Sequence, residues 1–390
     1  MKRSLAAFAG GFVLGYAALR ALDAARDLDA PAPPLAKDPA AYGRERRRLM
    51  VATIGRSLSM LAWTAFAVAP SVRGRGDAAE SRLRRLALVT AGLTAGWLLD
   101  LPIDYVEDHA LERRYGMSKQ GAAAWFGDRV KGFGVSTVVT LLVLELFVAV
   151  MRRAPRRWPL VATALTAPLL VLANLVAPTF IMPLFNKFEP LGGELEERLR
   201  ALARRYGVGD AQILRVDMSR QTEKANAYVT GLFGTHRIVV GDTLLEHFTG
   251  DEIEFVVAHE LGHYVRRDVW RGVALGTATT LIVLLCGRAF ASGRTDESQT
   301  TVDALARLMF FATLTGTLLG PLVAAASRSR EWAADRFALA ATAAPQWGVA
   351  AFTRLRDRNL AEDEQPAWME LLFSSHPSLG SRIRALESAR

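Results

Sequence analysis

A chain of 390 residues that is 51% hydrophobic, carries a formal net charge of +9 and has one cysteine, Cys286, excludes several classes at once. A lone cysteine permits no internal disulfide and no zinc site of the paired-cysteine kind, so any metal must be held by histidine and carboxylate. Residues 308–327 contain no charge, enough at about 1.5 Å per residue to cross roughly 30 Å of hydrocarbon, which rules out a wholly soluble protein.

Nearly all of the 48 basic residues are arginines. They cluster beside apolar runs, where arginine anchors a membrane span, so no nucleic-acid partner is expected. In chain order the apolar runs cover residues 4–19, 57–72, 86–101, 132–151, 159–185, 272–287 and 308–327, seven candidate spans. The first, between Lys2-Arg3 and the small residues Ala21, Ala24 and Ala25, reads as an uncleaved anchor, with a cleavable signal peptide as the alternative. Asp100 and Asp104 close the third run and Glu145 sits inside the fourth. A carboxylate at that depth is costly unless it faces protein or water, so these residues mark either polar contacts between helices or the lining of a water-filled cavity.

After the fifth run, residues 186–268 are polar enough to fold outside the bilayer. Residues 193–206 read as an amphipathic helix, 213–217 as a short strand, and 227–233 with 237–240 as a hairpin around Gly234, Thr235 and His236. A helical period returns over 251–266, with Asp251 and Glu252 in its first turn. That helix carries His259-Glu260-Leu261-Gly262-His263. Positions i and i+4 share a face, so two imidazoles can converge on one zinc ion while Glu260 takes a proton from the attacking water.

A catalytic zinc keeps three protein ligands and an open position. The residues after His263 lack the glycine and histidine of a metzincin, which leaves a carboxylate from a later helix. Glu331 and Asp335 are one turn apart: if Glu331 binds the metal, Asp335 can accept a ring N–H from a ligand histidine. Taken alone, Glu331 is more simply a solvated helix face. Two apolar runs separate it from His263, however, so both regions emerge on the same side of the bilayer, and the site is permitted.

These residues together resemble the M48 zinc metalloproteases, within them the membrane CAAX prenyl protease 1 type. The likeness rests on Asn226-Ala227-Tyr228, the IVVGDTLL stretch at 238–245, the HExxH helix, Glu331-xxx-Asp335-x-Phe337-Ala338, and Ser375-His376-Pro377 with Arg382 and Ile383. In the N-terminal half it rests on Asp100-Leu101-Pro102, on Glu112 with the YGMSKQ stretch at 115–120, and on PTFIMPLFNKF at 178–188. The resemblance implies a mainly α protein of about seven transmembrane helices, with a gluzincin-type α+β zinc protease domain split around the last two. Residues 1–186 would form an N-terminal membrane domain of about five spans, 187–268 the first part of the protease domain, 269–327 two spans, and 328–390 the remainder with the third ligand. His259, His263 and Glu331 would hold one zinc and Glu260 would be the general base. Asp335 would orient a ligand histidine, His376 would hydrogen-bond the oxyanion or substrate carbonyl with Arg382 nearby, and Asn226, Ala227 and Tyr228 would line the substrate. The family's membrane helices enclose an aqueous chamber, in which Asp104 and Glu145 would be tolerated.

The expected function is an integral-membrane zinc endopeptidase acting on peptides or membrane-associated proteins. Cleavage of prenylated C-termini follows from the resemblance alone. The alternatives are quality control of damaged membrane proteins of the HtpX kind, or a catalytically silent membrane scaffold. Arginine clusters fall on both sides of a seven-span topology, so charge gives no orientation. The excess of arginine over lysine and the abundant alanine fit a bacterial source, hence an inner membrane, and the resemblance implies that the catalytic side is cytoplasmic; oligomeric state stays open.

Overall fold

The computed structural model describes residues 37–68, 81–292 and 301–389. The first apolar run, read as an anchor or signal peptide, lies outside them. Among the described residues six helices are long and apolar enough to cross a membrane: Pro39–Phe66, Arg82–Arg114, Ala122–Arg153, Trp158–Leu184, Asp268–Ala289 and Leu305–Thr342. Four of them contain a whole apolar run and extend beyond it, while Pro39–Phe66 takes in the second run as far as residue 66 and Trp158–Leu184 the fifth as far as 184. The second run begins at 57, yet its helix α1 (Pro39–Trp63) starts where the Asp38 side chain accepts the amides of Ala40 and Ala41. Capping of free N–H groups, which a hydropathy window does not see, sets that boundary.

Helix α2 (Arg82–Tyr105) runs through one π turn into the short α3 (Leu111–Arg114). Helices α4 (Ala122–Arg153) and α5 (Trp158–Val176) complete the N-terminal set. The intramembrane carboxylates are paired between helices. Glu145 of α4 binds Arg82 and Arg85 of α2, Asp104 binds Arg129 of α4, and Asp100 binds Arg56 of α1. Of the two readings open to them, interhelical polar contact is the one these pairings fit. Glu145 also lies eight residues, about 12 Å, from the end of α4, beside the first turn of α2 and not at mid-span.

Outside the spans lies a four-stranded sheet in the order β1-β2-β4-β3. Strand β1 (Phe188–Pro190) pairs antiparallel with β2 (Gln212–Val216), and helix α6 (Gly193–Arg205) lies between them in sequence. Strand β4 (Arg237–Gly241) is parallel to β2 and antiparallel to β3 (Ala227–Thr230), with Val229 opposite Ile238. The expected hairpin is therefore present, but its first strand ends three residues earlier than 233. Gly231, at φ +101°, packs so close to the backbone of Thr235 that a Cβ there would fall 2.1 Å from its carbonyl oxygen. The turn closes at that glycine. Strand β3 is at the sheet edge, so one row of its main-chain groups has no strand partner within the sheet.

The short α7 (Asp242–His247) leads to α8 (Gly250–Val265), whose start is fixed by a capping box between Thr249 and Glu252. Helix α9 (Asp268–Ser292) and the 42-residue α10 (Thr301–Thr342) follow, then α11 (Pro345–Arg358), α12 (Ala367–Leu372) and α13 (Leu379–Glu387). Residue 328 falls inside α10: the last span and the segment bearing Glu331 are one continuous helix, about 63 Å long. The core outside the membrane is built from Leu199 and Leu202 of α6, Ile238 and Val240 of β4, Phe255 and Leu261 of α8, Ala338 of α10 and Phe352 of α11. It clamps α8 against α10. At their crossing Gly262 faces Phe337 and Ala334, and a Cβ would meet them at 3.1 and 3.2 Å. A larger residue there would wedge the two helices apart.

Candidate metal centre

Because α8 and α10 cross at Gly262, the residues one turn apart on α8 face Glu331 on α10. The Nε2 atoms of His259 and His263 are 3.2 Å apart. Each lies 3.3 Å from a different oxygen of Glu331. These three groups form a cluster able to hold a metal ion, with ligand atoms all within 4.8 Å of one another. Glu331 is buried, and its Oε2 has no hydrogen-bond donor, which is costly for a carboxylate unless a cation meets it.

The outward ring nitrogens are also fixed. His259 Nδ1 lies 2.8 Å from Asp335 Oδ1 and His263 Nδ1 lies 2.9 Å from Asp268 Oδ2. A carboxylate accepting the Nδ1 proton leaves the Nε2 lone pair free for a cation. Arg382, buried, donates from Nε and Nη2 to both oxygens of Asp335 at 2.8 and 2.6 Å and stacks 4.1 Å above the Phe352 ring. That fork aims Asp335 at His259.

The cluster opens on a cleft of about 580 Å³ whose walls include Asn226, Ala227, Glu260 and His376. The structure thus brings together His259, Glu260, His263, Glu331, Asp335, His376 and Arg382, drawn from α8, α10 and the C-terminal segment. Asn226 and Ala227 border the same cleft, whereas Tyr228 faces the other way, its hydroxyl 3.5 Å from Met182 Sδ. Strand alternation separates Tyr228 from Ala227, and Asn226 borders the cleft from just before the strand begins.

Residues 191–390 match the model of Peptidase family M48, and residues 36–187 match that of the CAAX prenyl protease N-terminal region, described as five membrane helices. The chain belongs to peptidase family M48. Over 303 residues this M48 peptidase is 31% identical to YhfN, an uncharacterized metalloprotease of Bacillus subtilis, covering 74% of this chain and 70% of that one. It is 34% identical over 188 residues to CAAX prenyl protease 1 of Saccharomyces cerevisiae (48% and 42% of the two chains), and 28% identical over 323 residues to the CAAX prenyl protease 1 homolog of Oryza sativa (80% and 75%). Its fold is that of the crystal structure of S. mikatae Ste24p, with a TM-score of 0.74, 24% identity and 98% of each chain covered. The protein is an integral-membrane metalloendopeptidase.

Electrostatics in this M48 centre follow from burial and charge. Burial pulls the His259 imidazole down, but the adjacent carboxylates of Asp335 and Glu331 outweigh that and carry it up to about 9. Burial likewise opposes protonation of His263, and Glu331 and Asp268 reverse it. Glu260 is pushed up, first by burial, with Glu331 adding to the effect, which moves it toward the range where a carboxylate can exchange a proton near neutrality. His376 borders the cleft with its side chain still 62% exposed, and partial desolvation pulls it below the ordinary imidazole value.

Two contributors are missing from the sequence reading. Asp268 was only a domain boundary there, although an acid five residues beyond His263, at the head of an apolar helix, is a signal of a buried partner. Asn359, at the end of α11, bonds the backbone N–H and C=O of Ala225 at 2.9 and 3.3 Å and so holds the chain entering β3. Nothing in its sequence surroundings marks it.

Proposed function

We propose that the metal is zinc, one ion per chain held by His259, His263 and Glu331, and that the enzyme hydrolyses peptide bonds in peptides or membrane-associated proteins. One observation carries this reading. A tetrahedral ion bound at about 2.0 Å holds its ligand atoms about 3.3 Å apart; the two Nε2 atoms are 3.2 Å apart, each lies 3.3 Å from one of the two Glu331 oxygens, and one ligand atom from each residue lies within 4.8 Å of the others. Two imidazoles and one carboxylate also suit zinc, and they leave the fourth position open toward the cleft.

When bound, zinc supplies the Lewis acidity that makes water a usable nucleophile near neutral pH. Glu260 then takes the water proton on its carboxylate and returns it to the nitrogen of the leaving amine. Ser375 Oγ lies 2.8 Å from His376 Nδ1. A hydroxyl donating there places the imidazole proton on Nε2, 3.4 Å from Glu331 Oε1, from where it can be donated to the substrate carbonyl oxygen as charge develops. Asp335 and Asp268 keep both ligand rings in the required tautomer, and Arg382 keeps Asp335 in place. An extended peptide pairs with the open edge of β3, beginning at Asn226 and Ala227, so main-chain contacts dominate over side-chain selectivity.

The names of the relatives point to prenylated CAAX C-termini as the substrate class, and the catalytic side is taken to face the cytoplasm of a bacterial inner membrane. A C-terminal fluorescent or phosphatase fusion reads the orientation: periplasmic phosphatase activity overturns it. The enzymatic reading is tested with Glu260→Gln in detergent or nanodiscs. It predicts one zinc per chain in both proteins and cleavage reduced about 10²- to 10⁴-fold in the variant. Equal cleavage by the variant rejects the role of Glu260. A variant that keeps every cellular effect of the parent favours a scaffold.

A further inference from the structure

Glu112 and the YGMSKQ stretch at 115–120 belong to the membrane domain and take no part in the chemistry above. They nevertheless end at the chain that enters the cleft. Glu112, 7% exposed, accepts from the Tyr42 hydroxyl at 2.5 Å and from Arg46 Nη1 at 2.6 Å on one oxygen, and pairs with Lys224 Nζ at 2.8 Å on the other. Lys224 lies two residues before Asn226. Around this pair the two regions exchange backbone contacts. Met117 C=O accepts from Glu223 N–H at 2.8 Å and from Thr222 Oγ1 at 3.3 Å, and Ser118 Oγ donates to Gln221 C=O at 2.7 Å. Segment 221–225 is therefore gripped by the membrane domain on one side and by Asn359 on the other. The chain leaves that grip directly into β3.

We propose that Glu112 is a positioning residue: through its half-buried ion pair with Lys224, the membrane domain sets where Asn226 and Ala227 stand in the cleft. An edge strand that recruits substrate by main-chain pairing has no side-chain pocket to correct its register, so its own backbone must be fixed in advance. Here it is fixed from outside the protease fold. Partial burial pulls the Lys224 ammonium below its ordinary value while Glu112 opposes this. The Arg46 and Tyr42 donors leave Glu112 fully engaged, so no other partner is at hand to replace Lys224 without movement.

The inference rests on the peptidase reading for its kinetic arm only. Glu112→Gln, Lys224→Met and the double variant are made in the full chain in nanodiscs, with Ser118→Ala as a milder change should Glu112→Gln fail to fold. Expected for each single variant is a rise of about tenfold in KM for an extended peptide, with kcat and zinc content close to the parent. The double variant is expected to be no worse than the poorer single one. Hydrogen exchange needs no substrate: amides of residues 221–230 should exchange at least tenfold faster, with α8 and α10 as protected as before. Unchanged exchange over 221–230 in folded variants overturns the proposal, as does loss of protection spread through α8 and α10, which makes the pair a general folding contact. If the parent itself cleaves nothing, the peptidase reading fails and the exchange result still decides this one.

Discussion

Glu145 and Glu331 are both acidic residues on long apolar helices, and their surroundings differ in kind. Glu145 meets two arginines from α2, with Arg85 donating to both of its oxygens at 2.8 and 3.0 Å. Its charge is matched and its acceptors are used. Glu331 meets two imidazoles at 3.3 Å, a third, that of His376, at 3.4 Å and an arginine only at 3.7 Å, keeps an oxygen without a donor, and opens on a cleft. A carboxylate fully complemented by arginine is a fastener between helices, whereas one facing two imidazoles across a cleft can serve a cation as a ligand. Depth in the membrane does not separate the two; the partners do.

The contrast is broken most directly at Glu331. Glu331→Gln keeps the shape and removes the charge, so zinc content measured after dialysis should fall from one per chain to near zero and peptide cleavage to background. Full occupancy in this variant would remove Glu331 from the ligand set. His376→Ala comes next. Losing a donor to the developing oxyanion typically costs about 10²- to 10³-fold in kcat, and zinc should be retained. An effect confined to KM would make His376 a binding residue instead.

The carboxylates behind the rings sharpen the comparison, because they act on the metal through another residue. Asp268→Asn and Asp335→Asn are each expected to weaken zinc affinity about 10- to 100-fold, measured by competition with a chelator. The pH dependence carries a sign. A ligand imidazole binds in its neutral form, and His259 stands at about 9 in the metal-free site. Zinc must therefore displace a proton at pH 7, so affinity rises with pH by about tenfold per unit for that proton and levels off above 9. In Asp335→Asn the support for the charged imidazole is gone and the plateau should begin at lower pH. A plateau that stays near 9 would mean that Asp335 does not govern His259.

The fold and the centre were legible in the sequence to the extent that each relied on local periodicity or spacing. His259 and His263 declare themselves because one helical turn separates them. Six spans and the β3–β4 hairpin declare themselves through apolar runs and a glycine turn. Glu331 was accessible only through topology and family likeness, since nothing local distinguishes it from a solvated acid. What could not be read is what depends on crossing distance. Gly262 looks like a helix-weakening residue until α10 is seen against it, and Asp100, Asp104 and Glu145 could not be assigned arginine partners that lie on other helices. Tyr228 is grouped with Ala227 by motif alone, and strand alternation separates them.

The smallest expected effect on activity lies at the fastener itself. Glu145→Gln strands the Arg85 guanidinium, whose side chain is 2% exposed, without its anionic partner. Removing one member of a buried pair costs about 3 kcal/mol or more, so thermal unfolding should shift down markedly while zinc content and kcat per folded molecule stay at parent values. Arg82 provides the internal control, because its side chain is 73% exposed on the other side of the same carboxylate. Solvent screens such a contact, and Arg82→Gln should change stability by about 1 kcal/mol or less. If Glu145→Gln instead lowered zinc content, the two carboxylates would be coupled through α10 and the membrane spans, and the division between fastener and ligand would have to be redrawn along that helix.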